Sequence, residues 1–282
     1  MSSPYTIGFP AMTAWLGAIH ALQRSIQKKG LENVKLTSVA VSCHNFDLQT
    51  FKGPRDFVHS IIGTSNPLDK DGGRPAFIEE ARCHLEVSLL VEYQGLTDSS
   101  ETKKLEELTN SQLPLMKFAG GDILSVKLTE SVSVDEEDEK EVKEVLRKLM
   151  LGYVLIERRD LMISSMKEGK DALDSLLDHL KVMHRSTKDE EKVSWTSSRK
   201  TDGWIVPIAT GFQGISDIGI AKNQRDSSTL HRFAESVVTL GEFVMPYRVK
   251  DLDQILWKYH VEPEQNLYLC QSLLTLNNNQ ND

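Results

Sequence analysis

The sequence is poor in cysteine, in aromatic residues, in positive charge and in long apolar runs. Three cysteines in 282 residues, Cys43, Cys83 and Cys270, are an odd and sparse set that points to a reducing compartment rather than a disulfide framework. No apolar run reaches the ~18 residues that span a bilayer. The first thirty residues lack a basic region followed by an uninterrupted apolar stretch. A cytoplasmic protein without membrane contact is therefore expected. Lys and Arg number 33 against 41 Asp and Glu, a net charge of −8, which argues against a free-standing nucleic-acid binder, because such proteins carry a basic footprint to displace counterions from phosphate. No G-x-S-x-G, H-E-x-x-H, Walker loop or nucleotide-binding glycine fingerprint occurs, so catalysis has no motif and no cofactor is expected. No internal repeat is detectable.

What is present can build a full core. Hydrophobic residues make up 39% of the chain, and the length suits one large domain or one domain with an insertion. From Gly8 to Lys29, residues Ala14, Trp15, Ala18, Ile19, Leu22 and Ile26 recur at three- and four-residue spacing, which predicts a helix entered at Pro10. Its other side carries His20, Gln23, Arg24, Lys28 and Lys29. Alternation predicts strands over Val39 to Phe46 and His84 to Val91. Further strands are expected at Tyr153 to Glu157 and Trp204 to Ile208, with Pro207 placing the latter at an edge or a bulge. Apolar stripes predict four more helices: Val142, Val145, Leu146 and Leu149; Leu173, Leu176, Leu177, Leu180 and Met183; Leu230, Phe233, Val237 and Leu240, stopping at Gly241; and Leu252, Ile255, Leu256 and Tyr259. The acidic run from Asp135 to Glu144 suits the start of the first of these, where carboxylates oppose the macrodipole. Helices and strands interleave irregularly, so an α+β fold is expected. Polar, loop-like stretches run from Phe51 to Pro75, from Arg185 to Asp202 and from Asn277 onward. The first contains Lys52, Arg55, Lys70 and Arg74 and is too long for an ordinary connection.

Cys43-His44 and Cys83-His84 make a zinc-like ligand set. Neighbours on a strand point to opposite faces, however, so Cys43 and His44 cannot share an ion unless the strand bulges, and buried thiols beside sheet-face histidines are expected instead. His84 and Glu86 share a strand face and are compatible with a proton-transfer dyad, although a hydrogen-bonded surface pair is the commoner outcome. In Lys117 to Asp122, the pair Gly120-Gly121 could let amide groups converge on a phosphate, or could simply close a turn. Neither clear strand offers the paired outward aromatics of a standard RNA-recognition motif.

An ordered set of short strings spans nearly the whole chain: Ser2-Ser3-Pro4, Gly8-Phe9-Pro10, His20 to Arg24, Cys43-His44, Asn66-Pro67-Leu68, Asp71-Gly72, Glu79-Glu80 and His84 to Leu90. It continues with Ala119-Gly120-Gly121, Gly203 to Pro207, Arg232 to Glu235, Leu240-Gly241-Glu242, Pro246 to Val249 and Tyr259 to Pro263. In this order they resemble the Csy two family of type I-F CRISPR systems.

The resemblance implies a ferredoxin-like, RNA-recognition-type core of the RAMP superfamily over 1–127 and 203–282, with a helical thumb insertion over 128–202. It implies a subunit without catalytic activity that pairs with the large subunit of the surveillance complex. The two would hold the 5′ handle of the CRISPR RNA beside an adjacent backbone subunit, with target DNA met only indirectly. A subunit contributing one patch to a shared groove needs only local cations, which accommodates the acidic net charge. On this basis the expected RNA contacts are Arg24, His44, Arg55, Arg74, Arg82, Arg232 and Arg248, with the backbone of Ala119, Gly120 and Gly121 as a phosphate rest. Each arginine could instead pin an element to a carboxylate such as Glu79 or Glu235. Relatives usually carry an apolar strand ahead of Ser-Ser-Pro, where this sequence begins, so either the true start lies upstream or the sheet lacks that strand and is completed differently. The segment between Leu128 and Trp204 is also shorter and more acidic than the resemblance leads one to expect. Two rival functions remain: a CRISPR RNA endoribonuclease of the same superfamily, using His20 or His44, and a protein-bridging subunit without RNA contact.

Overall fold

A computed structural model describes the chain except residues 1, 4, 5, 63, 66–70, 74–76, 79, 80, 190, 191, 221, 223, 225, 227 and 276–282. Arg74, the Asn66-Pro67-Leu68 and Glu79-Glu80 strings and the Asn277 tail thus lie outside the described residues. The principal elements are α1 (Met12–Lys28), β1 (Lys35–Leu48), β2 (Cys83–Gln94), α2 (Ser99–Gln112), α3 (Glu139–Lys148), β3 (Tyr153–Glu157), α4 (Arg159–Lys167), α5 (Ala172–Leu180), β4 (Met183–Asp189), β5 (Lys192–Ser198), β6 (Trp204–Gly214), β7 (Ala234–Val244), β8 (Trp257–Glu262) and β9 (Leu267–Ser272).

Seven strands form one antiparallel sheet in the order β3-β7-β6-β9-β8-β1-β2, so the fold is α+β. The sheet closes on itself because β1 shares one edge between two partners. Val39 pairs with Trp257 of β8, and Ser42 and Cys43 pair with Val154 and Tyr153 of β3. Side-chain alternation then sends neighbouring residues to two cores. Val39 and Val41, with Leu155, Ile208, Phe243, Trp257 and Cys270, pack under Met12, Trp15, Leu16 and Ile19 of α1. Ala40, Val154 and Val244 face the other way, against Val142, Val145, Leu146 and Leu149 around α3 and the segment from Val249 to Leu256. α4 and α5 add Met162 and Leu176 against Ile205 and Leu240.

Polar anchors fix the closure. The Trp257 indole, fully buried, donates to the Leu155 carbonyl at 3.0 Å, and Ser42 Oγ donates to the Leu149 carbonyl at 2.9 Å. The Glu157 side chain is wholly buried and meets the Arg159 guanidinium at 2.8 Å, while its other oxygen accepts from the Ser272 amide of β9 at 2.9 Å. Charges this far from water persist only when paired and hydrogen-bonded.

Several expected elements form, with adjusted bounds. α1 begins two residues after Pro10, whose carbonyl instead accepts from the Trp15 indole at 3.2 Å. The acidic run opens α3: Asp138 caps the Lys140 amide at 2.8 Å, Glu139 and Glu141 lie in the first turn, and Arg147 and Lys148 lie in the last. Pro207 sits where β6 pairs with β7 but not yet with β9, which joins only from Gly211. Pro207 is therefore at a local edge, while the bulge lies farther along β6, where a register shift separates Ala209 from Gly211. The helices α2 and α4 had no sequence counterpart.

Three expectations are corrected. The helix placed on Leu230, Phe233, Val237 and Leu240 is instead β7, hydrogen-bonded along both edges to β6 and β3. Val237, Val238 and Thr239 are stiff, β-branched residues suited to that role. Gly241 is therefore not a helix stop but a point of close approach, where an added Cβ would lie 2.9 Å from Leu155 Cδ1 and 3.3 Å from the Ile156 carbonyl. The helix placed on Leu252 to Tyr259 is a single 3₁₀ turn, Leu252–Gln254, capped by Asp251 through the Asp253 amide at 2.9 Å and followed by β8. Ile255, Leu256 and Trp257 are buried consecutively, which a one-faced helix cannot do. The loop placed on Arg185 to Asp202 holds the β4–β5 hairpin instead.

Candidate nucleic-acid interface

The candidate residues occupy several parts of the molecule. Arg24 stands on the exposed flank of α1, its Nη1 3.5 Å from His20 Nδ1 one turn back. His44 falls in a bulge of β1, between the registered residues Cys43 and Asn45, and its Nε2 lies 2.8 Å from Ser88 Oγ on β2. Arg82 is exposed just ahead of β2, where its carbonyl accepts from the Gln49 amide at 2.9 Å. Arg55 is exposed in the turn between the short paired strands Thr50–Phe51 and Ser60–Ile61. Arg55 and Arg82 thus gather at the outer end of the β1–β2 hairpin, with His44 further down the same arm.

Ala119 and Gly120 have φ of 48° and 80° and close a hairpin in which Phe118 pairs with Gly121 and Lys117 with Asp122. Left-handed φ at both central residues is the signature of a two-residue hairpin turn. Nothing would meet a Cβ at Gly120 within 4 Å, so conformation rather than space requires glycine there. Phe118 holds the turn against α1, its ring 5.6 Å from that of Trp15. Arg232 lies half-buried over Gly214 and donates from Nη1 to Asn266 Oδ1 at 2.6 Å. Arg248 is exposed at the end of the 3₁₀ turn Pro246–Arg248 on the α3 side of the sheet, away from Arg24. Arg24 and Arg248 therefore cannot belong to one continuous patch on a single sheet face.

The cysteine and histidine pairs do not converge. The β1 bulge meets the condition under which Cys43 and His44 could share an ion, yet no group of three or more His, Cys, Asp or Glu suited to a metal occurs among the described residues. Burial pushes the Cys43 thiol up to about 11 and the Cys270 thiol up to about 12, the condition of inert structural cysteines. His84 faces Gln49, with Nε2 to Nε2 at 2.9 Å. No helix among the described residues is long and apolar enough to cross a membrane.

Two features escaped the sequence reading. The first is the β4–β5 hairpin, whose described side chains are all exposed. Register puts His184, Ser186 and Lys188 on one face with Val193, Trp195 and Ser197. His184 Nδ1 lies 2.8 Å from Ser197 Oγ, and Trp195 is 71% exposed. From 181 to 200 the sequence has six Lys and Arg against three Asp and Glu, a local net charge of +3 on an acidic protein. The second is an aromatic row on β6, β8 and β9, comprising Phe212, Tyr259 and Tyr268. The Tyr259 and Tyr268 rings are 5.2 Å apart, and Phe212 pairs with Tyr268 in register.

At the base of the β4–β5 hairpin, His179 of α5 is buried between hydroxyls, with Nε2 3.0 Å from Ser165 Oγ and Nδ1 2.6 Å from Thr201 Oγ1. Lys200 also donates to Ser165 Oγ at 3.0 Å. Asp178 beside it is paired with Lys170 and Lys181. This network ties α4, α5 and the chain leaving β5 into one unit.

Comparison with known proteins gives the class of this closed antiparallel sheet and its projecting hairpins. Residues 1–270 match the family model described as CRISPR-associated protein (Cas_Csy2). The chain is 33% identical over 297 residues to "CRISPR-associated protein Csy2" of Pseudomonas aeruginosa (strain UCBPP-PA14), a match covering 95% of this chain and 89% of that protein. The chain belongs to the Csy2 family of CRISPR-associated proteins.

Proposed function

We propose that this Csy2-family chain is a non-catalytic subunit that holds the 5′ handle of the CRISPR RNA, paired with the large subunit of a type I-F surveillance complex. An adjacent backbone subunit flanks it, and target DNA is met only through the RNA. The observation that carries this reading is the β4–β5 hairpin. A two-stranded ribbon that buries nothing, is flanked at its base by Lys181, Arg199 and Lys200 and exposes Trp195 between Lys188 and His184 gains nothing for the fold. It suits a phosphate backbone and an unstacked base. The order α1-β1-β2-α2 is the inner part of a ferredoxin-like β-α-β-β-α-β core. Within 128–202, α4, α5 and the hairpin supply the thumb, while β3 is woven into the sheet. Exposed Phe57, Leu124, Leu128, Leu173 and Leu177 give partner subunits apolar surface to cover.

The test is RNA crosslinking and affinity measurement on the chain co-expressed with its partner subunits. Handle RNA crosslinks to this chain and keeps its length after incubation, with or without divalent metal. Neutralising Arg24, Arg82 or Arg248 one at a time flattens the salt dependence by up to about 0.7 log–log units per lost single-strand contact. Absence of any crosslink sinks the reading in favour of a bridging subunit, and cleavage abolished by His20→Ala or His44→Ala sinks it in favour of a nuclease.

A further inference from the structure

We infer that the row formed by Tyr259, Tyr268 and Phe212, closed at its two ends by Arg24 and Arg232, is a base-stacking site for single-stranded RNA. The inference rests on the RNA-holding function proposed above and assigns it a surface that the sequence did not reveal.

The row is built by register. Val261 and Phe212 are both partners of Tyr268 across adjacent strands, and directly paired residues present their side chains on the same face. Two strand spacings, roughly 10 Å, separate its outer members. Tyr259 lies on that face as well, two residues before Val261 and with its ring 5.2 Å from Tyr268. The face is open to solvent at Phe212, 41% exposed, Tyr268, 38%, and Val261, 54%, while the Tyr259 ring is half-buried against the core under α1. In a domain that otherwise buries its central strands, three neighbouring apolar side chains left uncovered on the interior of the sheet need an occupant.

Cations close both ends on the same face. α1 crosses above Tyr259, since a Cβ at Gly17 would lie 3.8 Å from the Tyr259 hydroxyl. Arg24 stands two turns beyond Gly17 on the same side of that helix; burial and the Tyr268 hydrogen bond raise the Tyr259 phenol, and the Arg24 charge is a smaller, opposing influence. At the other end Gly214 follows Phe212 by two residues and so faces the same way, and Arg232 Cδ lies 2.5 Å from where a Cβ of Gly214 would be. Arg232 is held by a neutral amide, Asn266, and its buried Nε has no hydrogen-bond partner. Two carboxylates of the same strands, Glu235 and Glu262, pair with Gln213 and Leu267, one residue out of step and therefore on the reverse of the pleat. Aromatic faces with cations at the rim and no carboxylate among them fit stacked bases and their phosphates. An apolar protein helix would leave the arginines unused.

The experiment uses the full chain co-expressed with its partner subunits, and labelled single-stranded oligouridylate and oligoadenylate as probes, read by fluorescence polarisation. Tyr268→Ala and Phe212→Ala each weaken binding by about 5- to 100-fold at unchanged melting temperature. Tyr268→Phe and Tyr268→Trp, which keep the ring, bind within about twofold of wild type, and an abasic oligomer of the same length loses the difference between wild type and the alanine variants. If wild type binds RNA and both folded alanine variants bind equally well, the stacking site is wrong while the RNA-holding function stands. If wild type itself binds no RNA, that function fails and this inference with it. If the alanine variants keep their RNA affinity but lose a partner subunit, the row is a protein interface and the inference is overturned.

Discussion

Two long antiparallel hairpins dominate the outline of this protein, and they are built to opposite specifications. β1–β2 carries Val39, Ala40 and Val41 fully buried between α1 and α3, so its register is dictated by two cores at once. β4–β5 has seven registered pairs held by cross-strand hydroxyls such as Thr187 and Ser194 at 2.7 Å, and buries none of its described side chains. A two-stranded ribbon of that kind is marginal without a partner. The contrast separates residues that make the fold from residues kept for something else, and the protein's tryptophans mark it: Trp257 is fully buried and Trp195 is 71% exposed.

The sharpest way to break this comparison is to truncate the two indoles. Trp257→Ala removes a fully buried ring and orphans the Leu155 carbonyl, so chemical denaturation should show a loss of about 3–5 kcal/mol. Next in size is Arg159→Met, which strands the wholly buried Glu157 carboxylate and should cost about 3 kcal/mol. A loss under about 1 kcal/mol would mean that water reaches that site.

The base of the free hairpin gives a smaller, pH-dependent effect. Burial, reinforced by Lys200, lowers the His179 pKa, against the opposing pull of Asp178. The folded protein therefore holds the His179 proton less tightly than the unfolded chain, whose imidazole titrates near ~6.5. The stability contributed at this site is complete above about pH 6.5 and declines as pH falls below it toward the depressed folded value. Melting curves from pH 8 to pH 5 should show that decline, and His179→Gln should flatten it. The smallest expected effect is that of Trp195→Ala, within about 0.5 kcal/mol of wild-type stability. A larger loss would show that the hairpin packs on the body after all.

The same contrast explains what could be read from the sequence. α1, β1, β2, α3 and α5 each carry an apolar face with a clean period, and the sequence located them to within a few residues. β7 failed because Leu230, Phe233, Val237 and Leu240 happen to repeat at helical spacing, whereas the partners that hold the segment extended, on β6 and β3, are far away in sequence. β4–β5 failed for the opposite reason: a hairpin that buries nothing leaves no hydrophobic period to detect. Of the candidate contacts, His44, Arg55 and Arg82 fall along one arm, but Phe212 and Tyr268 become neighbours only through strand register. The local signal that could have found them is the pair of tyrosines flanking the Glu262-Pro263 turn, Tyr259 and Tyr268.

Closure of the sheet also sets a timetable. β9 lies at the middle of the sheet, between β6 and β8, and β8 meets β1 through Trp257 and Val39, residues from opposite ends of the chain. During synthesis β1, β2 and α1 emerge first, with the Val39–Val41 strip lacking its late partners until residue 272 has left the ribosome. Such long-range pairings form slowly and leave apolar edges waiting. A nascent chain of this protein should therefore lean on a chaperone until its last strands arrive, and a stall just before β8 should yield an aggregation-prone fragment rather than a smaller folded domain.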